Sequence, residues 1–179
     1  MSARSDHVTI RDARPDDAAV VEAVTLAAYA QYAEVLPPPL WAAYRHNIVA
    51  TLAAAPPTTL IVAEEAGTVV GSVLLQPAGS VMAEPGGGRE IRLAEPEVRL
   101  LAVGPAGRGR GLGRRLMEEC IRRSRAAGAP ALTLHTTDMM RVAMGLYDRM
   151  GFARAPELDL APAPGVVVKG YRLAFTSAR

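Results

Sequence analysis

Glu97-Val98-Arg99-Leu100-Leu101-Ala102-Val103-Gly104-Pro105-Ala106-Gly107-Arg108-Gly109-Arg110-Gly111-Leu112-Gly113 carries an apolar strand into a glycine-rich turn, and the turn opens a helix. Five glycines fall in the ten residues 104–113, more than a simple reversal needs. Glycine removes side chains where backbone N–H groups must face a ligand, and the first turn of a helix has N–H groups with no intrahelical partner. A strand, a glycine turn and a helix start together read as an anion site suited to phosphate or pyrophosphate. Two common phosphate motifs are excluded. A P-loop requires a Lys that is missing here, and the dinucleotide fingerprint requires Gly-x-Gly-x-x-Gly where residues 109–113 read Gly-x-Gly-x-Gly.

Charge supports a small polyanion as the ligand. Residues 108–125 hold seven arginines against Glu118 and Glu119, a local +5 on a chain whose net charge is +2. A nucleic-acid binder would be basic more widely and would carry stacking aromatics, which make up only 4% of this chain. Glu118–Arg122 and Glu119–Arg123 have the i,i+4 spacing of a solvated helix face.

Outward from this stretch the elements alternate. Val8–Arg11 reads as a strand. A helix starting near Pro15 runs to about Ala33, with Asp16 and Asp17 at its positive end, and a second runs from about Leu40 to Ala55. Residues 59–64 and 69–75 form a hairpin around Glu65-Ala66-Gly67, and 77–96 is a long loop. The pattern predicts a strand over 97–103, a helix over 111–127, a strand over 131–135, a helix over 138–150 and two strands within 152–175. The result is a mixed α/β (α+β) fold: a mixed, mostly antiparallel sheet of about seven strands with helices on both faces. At 179 residues the chain suits one domain with its core over about 8–175. No apolar run reaches the roughly 20 residues of a membrane helix, and the N-terminus lacks a signal-peptide pattern. A lone cysteine, Cys120, excludes an intramolecular disulfide and falls on the buried side of its helix. These features predict a soluble cytoplasmic protein. The histidines have no partners at metal-ligand spacing, so no metal is expected.

Arg108-Gly109-Arg110-Gly111-Leu112-Gly113 resembles the Arg/Gln-x-x-Gly-x-Gly/Ala signature of the GNAT N-acetyltransferase superfamily, and Ala143-x-x-Leu146-Tyr147-x-x-x-Gly151-Phe152 is similar to its second signature. The two stand in the family's order with a strand between them. The resemblance implies an acetyl-CoA-dependent transferase acting on a primary amine, on a small molecule or a peptide. It implies that the backbone of Arg108, Gly109, Arg110, Gly111, Leu112 and Gly113, with Arg114 beside them, holds the pyrophosphate. The strand Leu101-Ala102-Val103 would hold the pantetheine arm, with pairing failing at Val103-Gly104-Pro105.

The reaction needs a base to deprotonate the ammonium acceptor and an acid for the departing thiolate. The resemblance points to Tyr147 as the acid and Glu97 as the base. His135, at the end of the next strand, competes for the role of base, although a hydrogen-bonded structural histidine is its plainer reading. Strict alternation would place Glu97, Arg99, Leu101 and Val103 on one strand face, and a plain strand-end Glu97 would be exposed beside Arg99. Met140 stands where the family often has an asparagine, leaving packing, Thr136, Thr137 or Asp138 to hold the cofactor arm. The acceptor would meet the first two helices, including Tyr29, Tyr32, Trp41 and Tyr44, and the segment 154–170. A silent acyl-CoA sensor is the alternative function, and a homodimer is left open.

Overall fold

A computed structural model describes residues 8–56, 59–83, 90–163 and 166–176. The chain folds as two compact units, residues 1–74 with 100–119 and residues 75–99 with 120–179.

In the first unit, β1 (Val8–Asp12) pairs antiparallel with β2 (Leu60–Glu65), and β2 pairs antiparallel with β3 (Thr68–Gln76). The hairpin turn is Ala66-Gly67, with φ of 47° and 81°. Two consecutive residues in the left-handed region match the right-handed twist of a tight hairpin. A 3₁₀ turn at Pro15–Asp17 precedes α1 (Ala18–Tyr29), and α2 spans Pro38–Ala54. Asp17 stabilises that start by accepting from the Arg14 backbone N–H at 2.6 Å and from Arg11. The expected run of α1 to Ala33 instead becomes a 3₁₀ turn over Ala30–Glu34. The core packs Val21 of α1 against Leu60, Val62, Val69 and Leu74 of the hairpin, with Leu52 of α2 covering them. Thr25 is buried without cost because its hydroxyl donates to the Val21 carbonyl at 2.8 Å and meets Ser72 Oγ at 3.2 Å.

In the second unit the sheet order is β6 (Glu97–Val103), β7 (Ala131–Thr136), β10 (Val166–Ala174), β8 (Ala153–Arg154), with β9 (Leu160–Ala163) also on β10. β6 and β7 are parallel, through Glu97↔Thr133 and Val98↔Leu134, and β10 is antiparallel to β7, β8 and β9. Between β6 and β7 in the chain lies α3 (Leu112–Ala126), which belongs to the first unit up to Glu119, and between β7 and β8 lies α4 (Arg141–Arg149). Leu112, Leu116, Met117 and Cys120 are buried on α3 at the three- and four-residue spacing of one helix face.

Two expectations need correction. The segment 77–96 is not wholly loop: β4 (Val81–Ala83) and β5 (Glu90–Arg92) pair antiparallel, and residues 84–89 lie outside the described residues. The C-terminal stretch holds three strands rather than two, because Asp159 breaks it. Its carboxylate receives the Gly170 N–H at 2.9 Å and Arg154 at 2.7–2.8 Å.

Among the described residues no helix is long and apolar enough to cross a membrane, and no cluster of His, Cys, Asp or Glu could hold a metal ion.

Candidate active site

In the first unit β6 ends at Val103, a 3₁₀ turn covers Pro105–Gly107, and residues 108–111 complete the reversal into α3. The glycines divide the work. Gly107 is a packing residue: a Cβ there would stand 3.1 Å from both Leu112 Cδ1 and Val103 Cγ1. Gly109 and Gly111 have φ of 74° and 71°, and a Cβ on either would meet no atom within 4 Å. Their backbone is therefore exposed and left-handed, a geometry that turns peptide N–H groups towards a common point. Gly113 lies within the first turn of α3. A cradle of this shape, with open space over it, fits a phosphate group.

The arginine side chains do less here than their number suggests. Arg110 forms a two-pronged pair with Glu65, which holds that carboxyl below its ordinary pKa. Arg108 donates to the Ala28 carbonyl at 3.2 Å, Arg114 to Glu118 at 2.8 Å and Arg115 to the Val8 carbonyl at 2.7 Å. These side chains are paired, and the backbone of Gly109 and Gly111 is open beside them. Tyr29, Tyr32, Tyr44 and Trp41 meet edge-to-face with ring centroids 5.8–6.3 Å apart, so they form an aromatic cluster of their own.

On β6, Leu100 has φ of +51°, left-handed for a branched residue and a strain of about 1–3 kcal/mol. It interrupts the strict alternation expected from Glu97 to Val103. The β6–β7 pairs are Glu97 and Val98, so pairing stops before Leu100 and not at Val103-Gly104-Pro105. The cause is the backbone of Leu100, not the missing donor of Pro105.

In the second unit Glu97 is not the exposed strand end that simple alternation suggests. It is 2% exposed, because the parallel pairing with β7 sets it in the sheet. Its Oε1 is 3.9 Å from Arg99 Nε, and its Oε2 is 3.3 Å from His135 Nδ1. The imidazole is anchored from its other side, where Nε2 lies 2.7 Å from the Leu158 carbonyl oxygen. A carbonyl only accepts, so Nε2 carries the proton. Nδ1 is buried and off the line of a hydrogen bond, within ion-pair range of the carboxylate. The sequence offered two competing bases; the fold makes them neighbours.

Leu158 reaches His135 because of Gly170. A Cβ on Gly170 would collide with Leu158 Cβ and lie 2.9 Å from the Ala155 carbonyl, so only glycine lets the 3₁₀ turn at Pro156–Leu158 lie on β10. Leu158 and Gly170 escaped the sequence reading. A glycine inside an apolar strand pattern is the one signal that points to such an approach.

Tyr147 is 6% exposed on α4, its ring tilted against Phe152 at 5.9 Å. Upstream of Met140, Asp138 pairs with Lys169, while the hydroxyls of Thr136 and Thr137 are buried without a hydrogen-bond partner.

Burial works against charge on His135, but the nearby Glu97 carboxylate, with the Leu158 carbonyl, outweighs it and raises its pKa. An NMR titration should find this imidazole titrating above the ordinary 6.5, and Glu97→Gln should lower that value. A raised folded-state pKa means the pair's stabilisation is fully present below the unfolded value. It is lost as pH rises through the folded one. The destabilisation by His135→Gln should therefore shrink from pH 5.5 to alkaline pH; a pH-independent difference would show that Glu97 does not act on the ring.

Comparison with known proteins bears on both units. The model of the acetyltransferase (GNAT) family matches residues 22–152. An IAA acetyltransferase of Azospirillum brasilense is 36% identical over 112 residues, which cover 62% of this chain and 65% of that protein. The match thus spans just under two thirds of that relative's length. A GNAT family acetyltransferase from Brucella melitensis, solved with acetyl-CoA, is 28% identical with a TM-score of 0.63, over 98% of this chain and 92% of that one. The PaiA N-acetyltransferase of Thermoplasma acidophilum, solved with coenzyme A, shares the fold at 13% identity and a TM-score of 0.68, over 94% and 99% of the two chains.

Proposed function

This chain belongs to the acetyltransferase (GNAT) family, and from that premise we propose that it transfers the acetyl group of acetyl-CoA to a primary amine by direct attack. The observation that carries this reading is the turn at Gly109 and Gly111, left-handed at both glycines and open above them. The backbone of residues 108–113, with Arg114 beside it, holds the pyrophosphate, and Leu101, Ala102 and Val103 hold the pantetheine arm. Acetyl-CoA supplies the activated acyl thioester.

The protein's own groups manage protons and charge. Glu97 takes a proton from the acceptor ammonium, leaving nitrogen a free electron pair for attack. A backbone N–H near Val103 stabilises the oxygen that gains charge. Tyr147 donates its hydroxyl proton to the departing sulfur. The acceptor enters a cavity of about 240 Å³ in the second unit, whose lining includes Glu97, His135 and residues 157–160.

A panel of primary amines with free-thiol release as readout tests the reading. Amine-dependent release is expected; acetyl-CoA binding without release from any amine would make the protein a silent acyl-CoA binder. Tyr147→Phe should lower kcat about 10- to 100-fold at nearly unchanged acetyl-CoA affinity. Unchanged turnover would return Tyr147 to a packing role beside Phe152.

A further inference from the structure

The cavity beside Glu97 is lined by residues of the second unit alone, and Met82, Ile91, Leu93, Leu158 and Leu160 give it an apolar wall. Charged residues also line it, but most are already committed. Glu95 receives Arg172, with Nε 2.8 Å from Oε2. Asp159 holds Arg154 and the Gly170 N–H. Arg92 donates to the Gly79 carbonyl at 2.8 Å, and the Thr133 hydroxyl to the Pro96 carbonyl at 3.1 Å. Glu157 is exposed, where water screens it. Among the lining carboxylates Glu97 is the buried one, 3.9 Å from Arg99 Nε and beside an imidazole fixed by Leu158.

We propose that this cavity is the acceptor pocket and that it selects a monoamine carried on an apolar aliphatic or aromatic body, with the nitrogen at Glu97 and His135 and the body against Met82, Ile91, Leu93 and Leu160. The physical reason is the distribution of partners. One ammonium finds one buried carboxylate, and each methylene after it meets apolar wall and gains by leaving water. A second ammonium on the same chain would find Glu95 and Asp159 already bound to arginine and Glu157 out in water, and an unpaired buried charge is strongly disfavoured. A peptide amine would bring amide groups against a wall whose polar side chains are largely paired already, Arg92, Thr133, Glu95 and Asp159 among them. The inference rests on the acetyl-transfer reading for what happens to the amine, but not for what binds.

Hexylamine, phenethylamine, 1,6-diaminohexane and a glycyl peptide amide form the test set. Binding without acetyl-CoA is followed by the methyl NMR signals of Leu93, Leu158 and Leu160, and transfer by thiol release. The two apolar monoamines should bind about tenfold or more tightly than the diamine or the peptide and shift those methyl signals. Ile91→Glu, which adds an uncommitted carboxylate to a partly exposed strand, should narrow or reverse the preference for hexylamine over the diamine. Equal or tighter diamine or peptide binding by the unmodified protein would overturn the proposal. So would an Ile91→Glu preference identical to the original, or the absence of binding by any amine. Monoamine binding at these methyls without thiol release would instead sink the transfer reading and leave the pocket standing. Thiol release with the diamine preferred would do the reverse.

Discussion

Gly111→Glu is expected to fold and to lose acetyl-CoA. The glycine has φ of 71° with no atom within 4 Å of a Cβ, so a side chain has room and the cost to the fold is the left-handed backbone, about 1–2 kcal/mol. The loss falls on the ligand, because a carboxylate placed over the cradle repels the pyrophosphate it should receive. At a hundredfold excess over Kd, a ligand that binds only the native state adds about 2.7 kcal/mol. For a chain of this size that raises Tm by roughly 5–10 °C. The unmodified protein should show that shift and Gly111→Glu should show almost none. Gly111→Asn is the control, since asparagine tolerates the left-handed region and adds no charge, and it should keep a measurable part of the shift. Acetyl-CoA binding by Gly111→Glu equal to that of the unmodified protein would place the phosphate site elsewhere.

The second large effect is expected at Glu97. Glutamine keeps the shape of the buried side chain, and its amide can donate to the His135 Nδ1 while Nε2 stays on the Leu158 carbonyl. The fold should therefore tolerate Glu97→Gln, and acetyl-CoA affinity should hold. The variant cannot accept the acceptor's proton. A fall in kcat of about 10²- to 10⁴-fold at neutral pH is the range for losing a general base. Part of it should return at high pH, where more of the amine is already neutral. His135→Gln should be milder, since it leaves the carboxylate in place and removes the ring beside it. An undamaged Glu97→Gln with a damaged His135→Gln would exchange the two roles. If neither substitution changes the rate, solvent takes the proton and the enzyme works by positioning.

The element order was legible in the sequence where the signals are local. The apolar runs of Val, Ile and Leu in 60–74, the Ala66-Gly67 turn and the four-residue spacing of Leu112, Leu116 and Cys120 each report one element's burial, and the fold agrees with them. The segment 77–96 defeated the reading because β4 and β5 are three residues each, too short for a periodicity to register. The surroundings of the arginines were illegible for another reason. Arg110 pairs with Glu65 forty-five positions away, and no local pattern marks such a partner.

What the sequence determined by itself is the glycine-rich turn between strand and helix and the family it implies: the missing side chain belongs to the residue, so the turn is legible from the order of its glycines alone. What only the tertiary structure decided is the surroundings of Glu97. Parallel pairing of β6 with β7 buries Glu97 and brings His135 to 3.3 Å from it, and Gly170 lets the Leu158 carbonyl fix the far side of the ring. Burial and charge partners are properties of neighbours distant in the chain, and those neighbours set how tightly a carboxylate or an imidazole holds its proton.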